Sequence, residues 1–437
     1  MESDGFAAPP TGEEPGNRTE ATHCPKRDTV PRVKNWFDST FASLEVPHFR
    51  ILWFGTIFSF IAFFMSMIVQ SVVAFELSGT NTAVGSVVAA QGAAMASFGS
   101  IGGAVADRWP KRRLIVICQI LTALVLTAVG LLLAADRLRL EMLVVGAFIM
   151  GMSFAFMGPA RQSLVADLVP EARLGNAMAV TMIANTASRV LGPVVAGLLL
   201  SAPGFGSKGA YFAMAALYTI SAASMVLIPK SIVRPTASDI SVFSSVIEGF
   251  VYVWGNTHLR LLVVFFAAVI FVGFPHVTVL PGLLENVHRI DSAMVSRLFL
   301  ASAVGALISS VFVARFADSP RALMIYTLMA ACFGVSLVGL AFADNMELAT
   351  WAMLFVGIGS GGFQALNNAV IARETEPAYM GRVMSLTMLA FAGFGLMALP
   401  VGALADRFGE QNALTVLGVV VMLTTWGMGS ALSRRLR

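Results

Sequence analysis

Long apolar segments constrain this chain more than any other feature of its sequence. Runs of 20 or more mainly apolar residues recur along it, and each is long enough to cross a hydrocarbon layer roughly 30 Å thick. Hydrophobic residues make up 57% of the 437 positions and charged residues 12%, about half of the ~25% typical of soluble domains. The sequence therefore predicts an all-α polytopic membrane protein.

Twelve predicted spans fall into two groups of six. They cover residues 49–76, 82–105, 113–134, 140–164, 175–201, 210–229, 259–284, 292–314, 321–343, 348–371, 380–404 and 412–432. The longest polar interval between spans carries apolar residues at helical spacing, which predicts an amphipathic helix on the membrane surface. The predicted domains are a disordered cytoplasmic tail (1–45), a first six-helix bundle (46–229), a cytoplasmic linker (230–257), a second bundle (258–433) and a basic C-terminal tail (434–437).

The placement of basic residues predicts the orientation. Most of the 29 Lys and Arg residues fall in the first tail and in the loops that share its side of the membrane. Loops on the cytoplasmic side of membrane proteins carry an excess of these residues. We therefore expect both termini to be cytoplasmic, in a multi-pass protein of the cytoplasmic (inner) membrane.

The two groups of spans resemble each other. The stretch "AVTMIANTA" at 179–187 is similar to "SLTMLAFAG" at 385–393, and Pro193 is separated from Pro400 by nearly the same interval. A six-helix unit duplicated in one orientation creates a pseudo-two-fold axis along the membrane normal, and transporters use this design to place one site between two moving halves.

A charged segment, "GGAVADRWPKRR" at 102–113, closes the second span and leads into the third. Gly103 would allow a neighbouring helix to approach closely, and Asp107 would be stabilised by a helix N-terminus or an arginine. The enrichment of basic residues in cytoplasmic loops could by itself explain Lys111, Arg112 and Arg113.

This segment resembles the span 2–3 signature of the major facilitator superfamily. The stretches "FRILWFGTIFSF", "VAFELSGTNTAVG" and "GPARQSLVADLVPEARLGNAMA" are similar to the siderophore-exporter and macrolide-efflux branch of that family. The resemblance implies a fold of twelve transmembrane helices arranged as two pseudo-symmetric six-helix bundles.

The resemblance also implies a conformational latch. Its residues would be Gly103, Asp107, Arg108, Arg112 and Asp167. Gly103 would pack against span 11, Asp107 would meet the start of that span near residues 379–381, and Arg108 would meet Asp167, with Glu171 as the second choice. A similar stretch, "GALADRFG" at 402–409, falls at the opposite end of span 11, where we expect a charged turn without a latch function.

Span 5 contains Gly192, Pro193 and Gly197. A proline inside a membrane helix bends it, and small residues let other helices approach. The group is similar to the glycine-proline signature of the family's antiporters and exporters.

Arg189 is the basic residue that we place well inside a span. A charge near the bilayer centre costs at least about 2.5 kcal/mol, so it needs a partner or a function. Arg189 could be held by backbone carbonyls and Asn185, or it could face a cavity and contact the substrate or a gate. Asn185 and Gln364 are among the polar residues that suggest such a cavity.

Proton coupling requires a titratable group that reaches both sides of the membrane in turn. The candidates, in order, are Glu76, His276 and Glu285. Glu76 could instead be a solvated acid at the membrane interface, and His276 a packing residue beside Pro275.

These features predict a secondary active transporter that exports amphipathic, drug- or siderophore-like molecules by alternating access in exchange for protons. The main alternative is an importer or facilitator of a polar nutrient, and a non-transporting membrane sensor ranks behind both.

The chain lacks a GxxxxGK[ST] motif of ATP-driven pumps and the HExxH and GxSxG motifs of hydrolases, so we expect neither a primary pump nor an enzyme. The expected partners are a small-molecule substrate, H⁺ and the lipid bilayer, without cofactor, metal or nucleic acid, and the expected state is a monomer.

Overall fold

A computed structural model describes residues 41–228, 242–317, 319–376 and 379–435. Within these ranges thirteen helices account for most of the chain. They are α1 (Pro47–Ser78), α2 (Asn81–Arg108), α3 (Lys111–Ala134), α4 (Leu140–Leu168), α5 (Leu174–Ser201), α6 (Gly206–Val226), α7 (Val242–Gly255), α8 (Thr257–Gly273), α9 (Val295–Ala314), α10 (Ala322–Ala341), α11 (Met346–Glu374), α12 (Met380–Phe408) and α13 (Glu410–Arg435). The parts of the predicted tails and linker at 1–40, 229–241 and 436–437 lie outside the described residues.

Twelve of these helices correspond to the predicted spans. Eleven segments in the described ranges are long and apolar enough to cross a membrane, and α2 is the twelfth. Its glycine, alanine and serine residues lower its hydropathy but let other backbones approach closely. A Cβ atom at Gly85 would lie 2.5 Å from the carbonyl oxygen of Ala398, and one at Gly151 of α4 would lie 2.5 Å from that of Gln91. The predicted all-α, twelve-helix fold is confirmed.

The chain consists of two similar halves, α1–α6 and α8–α13. In the first half α2 packs on α4 and α3 on α6; in the second, α9 packs on α11 and α10 on α13. Leu140 and Met346, which begin α4 and α11, are 206 residues apart, as are Leu174 and Met380, which begin α5 and α12. We call the end where α1 begins the proximal end and the end where it finishes the distal end.

The first helix of the second half is interrupted. α8 ends at Gly273, a 3-10 turn follows at Phe274–Thr278, and short helical turns continue to Val287. Pro275 and Pro281 lack the N–H group that a continuous helix requires. The predicted span at 259–284 is present, and Thr257–Thr278 is long and apolar enough to cross a membrane, but its helix is interrupted after Gly273.

The predicted disordered tail was expected to end at residue 45, but its last four residues, 42–45, are ordered. Residues 42–45 form a 3-10 turn. The N–H of Ser43 donates to Oδ1 of Asn176 at 2.9 Å, and Arg173 binds both the carbonyl of Ala42 and the carboxylate of Glu45 at 2.9 Å. This polar stretch is ordered because the chain just before and within the start of α5 supplies its partners.

Helix α7 lies between the halves in sequence and packs on the start of α12. Tyr252 stacks on Tyr379 with ring centroids 4.1 Å apart, and Arg382 lies 3.1 Å from the carboxylate of Glu248. The other face exposes Phe250 and Trp254, as an interfacial helix would. Its contact with the membrane surface stays a prediction.

Candidate functional site

Asp406, near the distal end of α12, caps the first turn of α2. The backbone N–H groups of Asn81 and Thr82 donate to its two carboxylate oxygens at 2.7 and 2.8 Å. The side chains of the same two residues also donate to it. The first N–H groups of a helix have no partner within the helix and carry partial positive charge, which a carboxylate stabilises. This contact, which we call the distal clasp (Asn81, Thr82 and Asp406), joins the two halves.

A buried polar cluster lies beside the distal clasp. Nδ2 of Asn81 also donates to Glu410 at 3.0 Å, and Asn286 donates to the same carboxylate oxygen at 2.6 Å. Gly282 leaves room for this arrangement, since a Cβ atom there would overlap the Asn81 amide. Asn81 of the first half thus donates hydrogen bonds to both Asp406 and Glu410 of the second half.

Small residues bring α2 and α12 together on the same side. A Cβ atom at Gly402 would overlap the backbone of Asn81, and one at Gly395 would lie 2.6 Å from the Cα atom of Gly92. The halves are therefore in backbone contact over the distal part of this helix pair.

The "GALADRFG" stretch, expected to be a charged turn, also makes contacts with the other half. Its aspartate, Asp406, makes the hydrogen bonds of the distal clasp. Sequence analysis missed this contact because its partner, the start of α2, lies 325 residues away in the chain, and an N-cap such as Thr80 marks a helix start without indicating which acid approaches it. A latch function of this contact is a proposal.

The charged segment at 102–113, at the proximal end, makes different contacts in this structure from those of the implied latch. Asp167 pairs with Lys111, with Nζ 2.7 Å from the carboxylate, and Arg112 donates to the carbonyl of Val226 at 2.8 Å. Lys111 begins α3 beside the last turn of α4, whereas Arg108 is exposed before the turn at Trp109. The implied contact of Arg108 with Asp167, which belongs to the opposite state, stays a prediction. All these contacts lie within the first half.

The predicted packing of Gly103 on α12 stays a prediction, because several side chains in the first part of α12 lie outside the described residues. A Cβ atom at Gly103 would meet no described atom within 4 Å, whereas one at Gly102 would overlap the backbone of Ala155 in α4. One residue corresponds to about 100° of rotation around a helix, so Gly102 is the glycine that faces α4 within the first half. The side chain of Asp107 lies outside the described residues, and its predicted contact with α12 stays a prediction.

A pocket lies between α5 of the first half and α9 and α11 of the second. Its polar lining residues are Asn185, Thr186, Arg189, Ser310, Gln364 and Asn368. Its volume of about 170 Å³ is below the ~300 Å³ at which small-molecule sites begin. It therefore has room for one polar group of a ligand rather than for a whole drug-sized molecule.

Arg189 occupies the first-half wall of this pocket. Its guanidinium carbon lies 5.9 Å from the ring centroid of Phe64 in α1. Within the described ranges nothing forms a hydrogen bond or ion pair with this guanidinium group. The structure thus brings Arg189, Asn185 and Gln364 together, as the cavity interpretation requires, and gives Arg189 no backbone carbonyl partner.

The small residues of α5 lie against other helices. Gly192 contacts the backbone of Phe64 in α1, and Gly197 contacts the side chain of Ser296 at the start of α9. Pro193 is buried inside α5. The contact at Gly197 joins the two halves distal to Arg189, and a bend at Pro193 stays a prediction.

The three proton-coupling candidates do not line the pocket. Glu76 is exposed near the distal end, accepts a hydrogen bond from Ser207 at 3.4 Å, and interacts electrostatically with Glu285 and Asp291. His276 is buried within the second half, where its Nδ1 lies 2.8 Å from the carbonyl oxygen of Gly273.

Sequence analysis missed a second buried arginine. Arg161 of α4 is 5% exposed, donates to Oγ of Ser59 at 2.8 Å and lies 4.8 Å from the ring centroid of Phe60. Phe60 and Phe64 are one turn apart on α1, so Arg161 and Arg189 lie along one aromatic face of that helix. The apolar residues on both sides of Arg161 were the available signal, but they fell at the uncertain end of a predicted span.

The structure consists of two pseudo-symmetric bundles of membrane helices, with distal contacts between them and a polar pocket at their interface. This architecture is that of a membrane transporter. The chain belongs to the Major Facilitator Superfamily, whose sequence model matches residues 52–396. This is a transporter family rather than an enzyme family.

Three curated relatives are transport proteins. The chain is 22% identical to macrolide efflux protein A of Streptococcus pyogenes (75% of this chain, 82% of the relative) and 22% identical to the staphyloferrin A transporter of Staphylococcus aureus (74% and 81%). It is 24% identical to the enterobactin exporter EntS of Shigella flexneri (86% and 91%). The resemblance to the siderophore-exporter and macrolide-efflux branch is thereby confirmed.

The fold also matches solved structures. The nucleoside transporter NupG superposes with a TM-score of 0.73 at 14% identity, covering 87% of this chain and 98% of that one.

Proposed function

We propose that this protein exports amphipathic, drug- or siderophore-like molecules across the cytoplasmic membrane by alternating access, as a monomer and in exchange for protons. The observation that carries the proposal is the position of the pocket around Arg189, between the halves and on the proximal side of their distal contacts. The names of the curated relatives, which include an efflux protein and an exporter, support the direction.

The geometry of the interface supports loading from the proximal side. Contacts at Asp406–Asn81 and Gly197–Ser296 close the interface distal to Arg189. The distribution of basic residues predicts that the proximal side is cytoplasmic. We therefore infer that the pocket is loaded from the cytoplasm and that the substrate leaves on the distal side.

Release to the outside requires the distal contacts to break and a proximal contact to form. Helices α2 and α12 run antiparallel, and each ends in Ala-Asp-Arg, at 106–108 and 405–407. Asp406 caps the start of α2 in the present state. In the opposite state Asp107 would cap the start of α12, so that each aspartate holds one of the two conformations.

Efflux measurements test the proposed function. Accumulation of amphipathic dyes, macrolides and siderophores is followed in efflux-deficient cells that produce wild type or Arg189→Ala at matched levels, with and without a protonophore. We expect wild type to lower the accumulation of some compounds, the protonophore to abolish this effect and the variant to weaken it. If no compound is excluded and a polar nutrient accumulates instead, the importer alternative replaces this proposal.

The proton carrier is tested by separate variants. Glu76→Gln, His276→Gln and Glu285→Gln are compared for substrate-driven proton release from proteoliposomes. The carrier is expected to lose proton release while retaining exchange of substrate for substrate. If all three variants release protons at the wild-type rate, none of these residues is the carrier.

A further inference from the structure

Arg189 is a charged group placed deep in the membrane-spanning part of the protein without a described counter-charge. It lies 15 residues after the start of α5 at Leu174, about 22 Å along the helix at 1.5 Å per residue. An arginine at such a depth is costly unless an anion, water or carbonyl groups surround it. The described residues provide no hydrogen-bond or ion-pair partner, and the partly buried side chain lines the pocket, so a ligand in the pocket can supply the compensating group.

The pocket wall is suited to an anion. The amides of Asn185, Gln364 and Asn368 and the hydroxyls of Thr186 and Ser310 surround Arg189, and the lining includes neither an aspartate nor a glutamate. A carboxylate accepts two parallel hydrogen bonds from a guanidinium group, and its remaining lone pairs can accept from amide and hydroxyl donors. A cationic ligand group would face Arg189 with like charge.

Arg161 is a second arginine beside the same helix, but in a different environment. It donates to Ser59 and packs on Phe60 within the first half, its Nε is buried without a partner among the described residues, and it does not line the pocket. Arg189 lies near the ring of Phe64, is only partly buried and lines the pocket. Arg189 is therefore the arginine of the two that a ligand in the pocket can contact.

We propose that the pocket binds the carboxylate of an amphipathic anionic substrate, with Arg189 as the specificity-determining residue. The proposal rests on the proposed transport function and narrows its substrate class. Because Arg189 belongs to the first half and Ser310, Gln364 and Asn368 to the second, the bound carboxylate bridges the halves. The phosphate of an anionic lipid has similar hydrogen-bonding chemistry and is the competing occupant.

A matched pair of probes tests the proposal. Binding of dansylglycine, which carries a carboxylate, and of dansylglycinamide, which carries a neutral amide in its place, is measured by calorimetry. The protein is held in nanodiscs of phosphatidylcholine. Wild type is compared with Arg189→Gln, Arg189→Lys and the control Arg137→Gln, which removes one charge from an exposed loop residue. The measurement is repeated in nanodiscs containing phosphatidylglycerol.

We expect wild type to bind the carboxylate at least tenfold more tightly than the amide. Arg189→Gln should abolish this preference, Arg189→Lys should retain part of it, and Arg137→Gln should leave it unchanged. The proposal is overturned if wild type binds the two probes equally or binds neither of them. It is also overturned if the preference for the carboxylate survives Arg189→Gln. Loss of carboxylate binding in phosphatidylglycerol would also overturn it, by assigning the pocket to lipid. In each of these cases energised efflux of neutral or cationic compounds from cells would leave the proposed export function intact.

Discussion

The carboxylate of Asp406 accepts the backbone N–H of Asn81 at 2.7 Å, so an acid at the end of α12 caps the start of α2 in the other half of the molecule. Breaking this contact requires the halves to separate at the distal end. The contact therefore stabilises one conformation of the transporter relative to the other.

Asp406→Asn should shift the protein away from the distally closed state. Asparagine keeps an acceptor oxygen but loses the charge, and hydrogen bonds to a charged group are worth about 1.5–3 kcal/mol each. Asp406 is exposed, so water screens part of this energy and we expect a loss of about 1–2 kcal/mol, or roughly 5- to 30-fold in population. Distances between spin labels on the two halves report the shift.

Asp136→Asn is the matched control for that substitution. Asp136 is an exposed loop residue at φ 53°, a conformation that asparagine tolerates. The substitution changes the same charge without touching the distal clasp. A comparable population shift in this variant would show that net charge rather than the clasp is responsible.

Gly402→Ala should destabilise the distally closed state through a steric clash, without changing any charge. The added methyl group would overlap the backbone of Asn81, and backbone at this contact has little room to move. Gly99→Ala, on an exposed part of α2 with nothing within 4 Å, is the control. We expect spin labels at Lys208 and Asp344, near the distal ends of the two halves, to show an added longer distance in the Gly402 variant and an unchanged distance distribution in the control. Equal distributions in both variants would contradict the tight packing of α2 on α12.

Asp107→Asn should act in the opposite direction to Asp406→Asn. If Asp107 caps the start of α12 in the outward-open state, its neutralisation favours the distally closed state and abolishes transport while folding is retained. Transport and spin-label distances are measured in both single variants. Normal transport by Asp107→Asn, or a shift of the same sign as Asp406→Asn, would contradict reciprocal capping.

Arg161, which is buried, and Arg189, which is partly buried, should differ in their effect on stability. Arg161→Gln leaves the hydroxyl of Ser59 and the ring of Phe60 without their partner, so we expect about 2–4 kcal/mol of destabilisation and a lower midpoint of thermal unfolding. Arg189→Gln removes an unpaired charge and should leave that midpoint within about 2 °C of wild type while reducing transport. Equal destabilisation by both substitutions would assign Arg189 a structural role.

Hydropathy and span length were sufficient to predict the fold because the thickness of a membrane fixes the length of an apolar helix. The span at 113–134, for example, corresponds to Lys111–Ala134. The internal repeat was visible because both halves retain similar residues at their equivalent fifth helices. The interruption of span 7 was not predicted, because the effect of Pro275 and Pro281 depends on how neighbouring helices satisfy the backbone.

The contacts between halves were harder to predict. Arg189, Asn185 and Gln364 could be recognised because polar residues in an apolar segment stand out. The partner of Asp406 is the set of backbone N–H groups at the start of α2. Thr80 marks that start as an N-cap, but the sequence does not indicate which distant acid approaches it.

The distance between the distal ends of the two halves tests the central claim most directly. In a cysteine-free background, one pair of spin labels is placed at Lys208, in the first turn of α6, and at Asp344, in a distal loop of the second half; both are exposed. A second pair at Glu171 and Arg321 reports on the proximal end. We predict that Asp406→Asn adds a longer distance at the distal pair and a shorter one at the proximal pair, and that Asp136→Asn leaves both distributions as in wild type. Unchanged distributions in Asp406→Asn would contradict the account, because the clasp would then not hold the distal side closed.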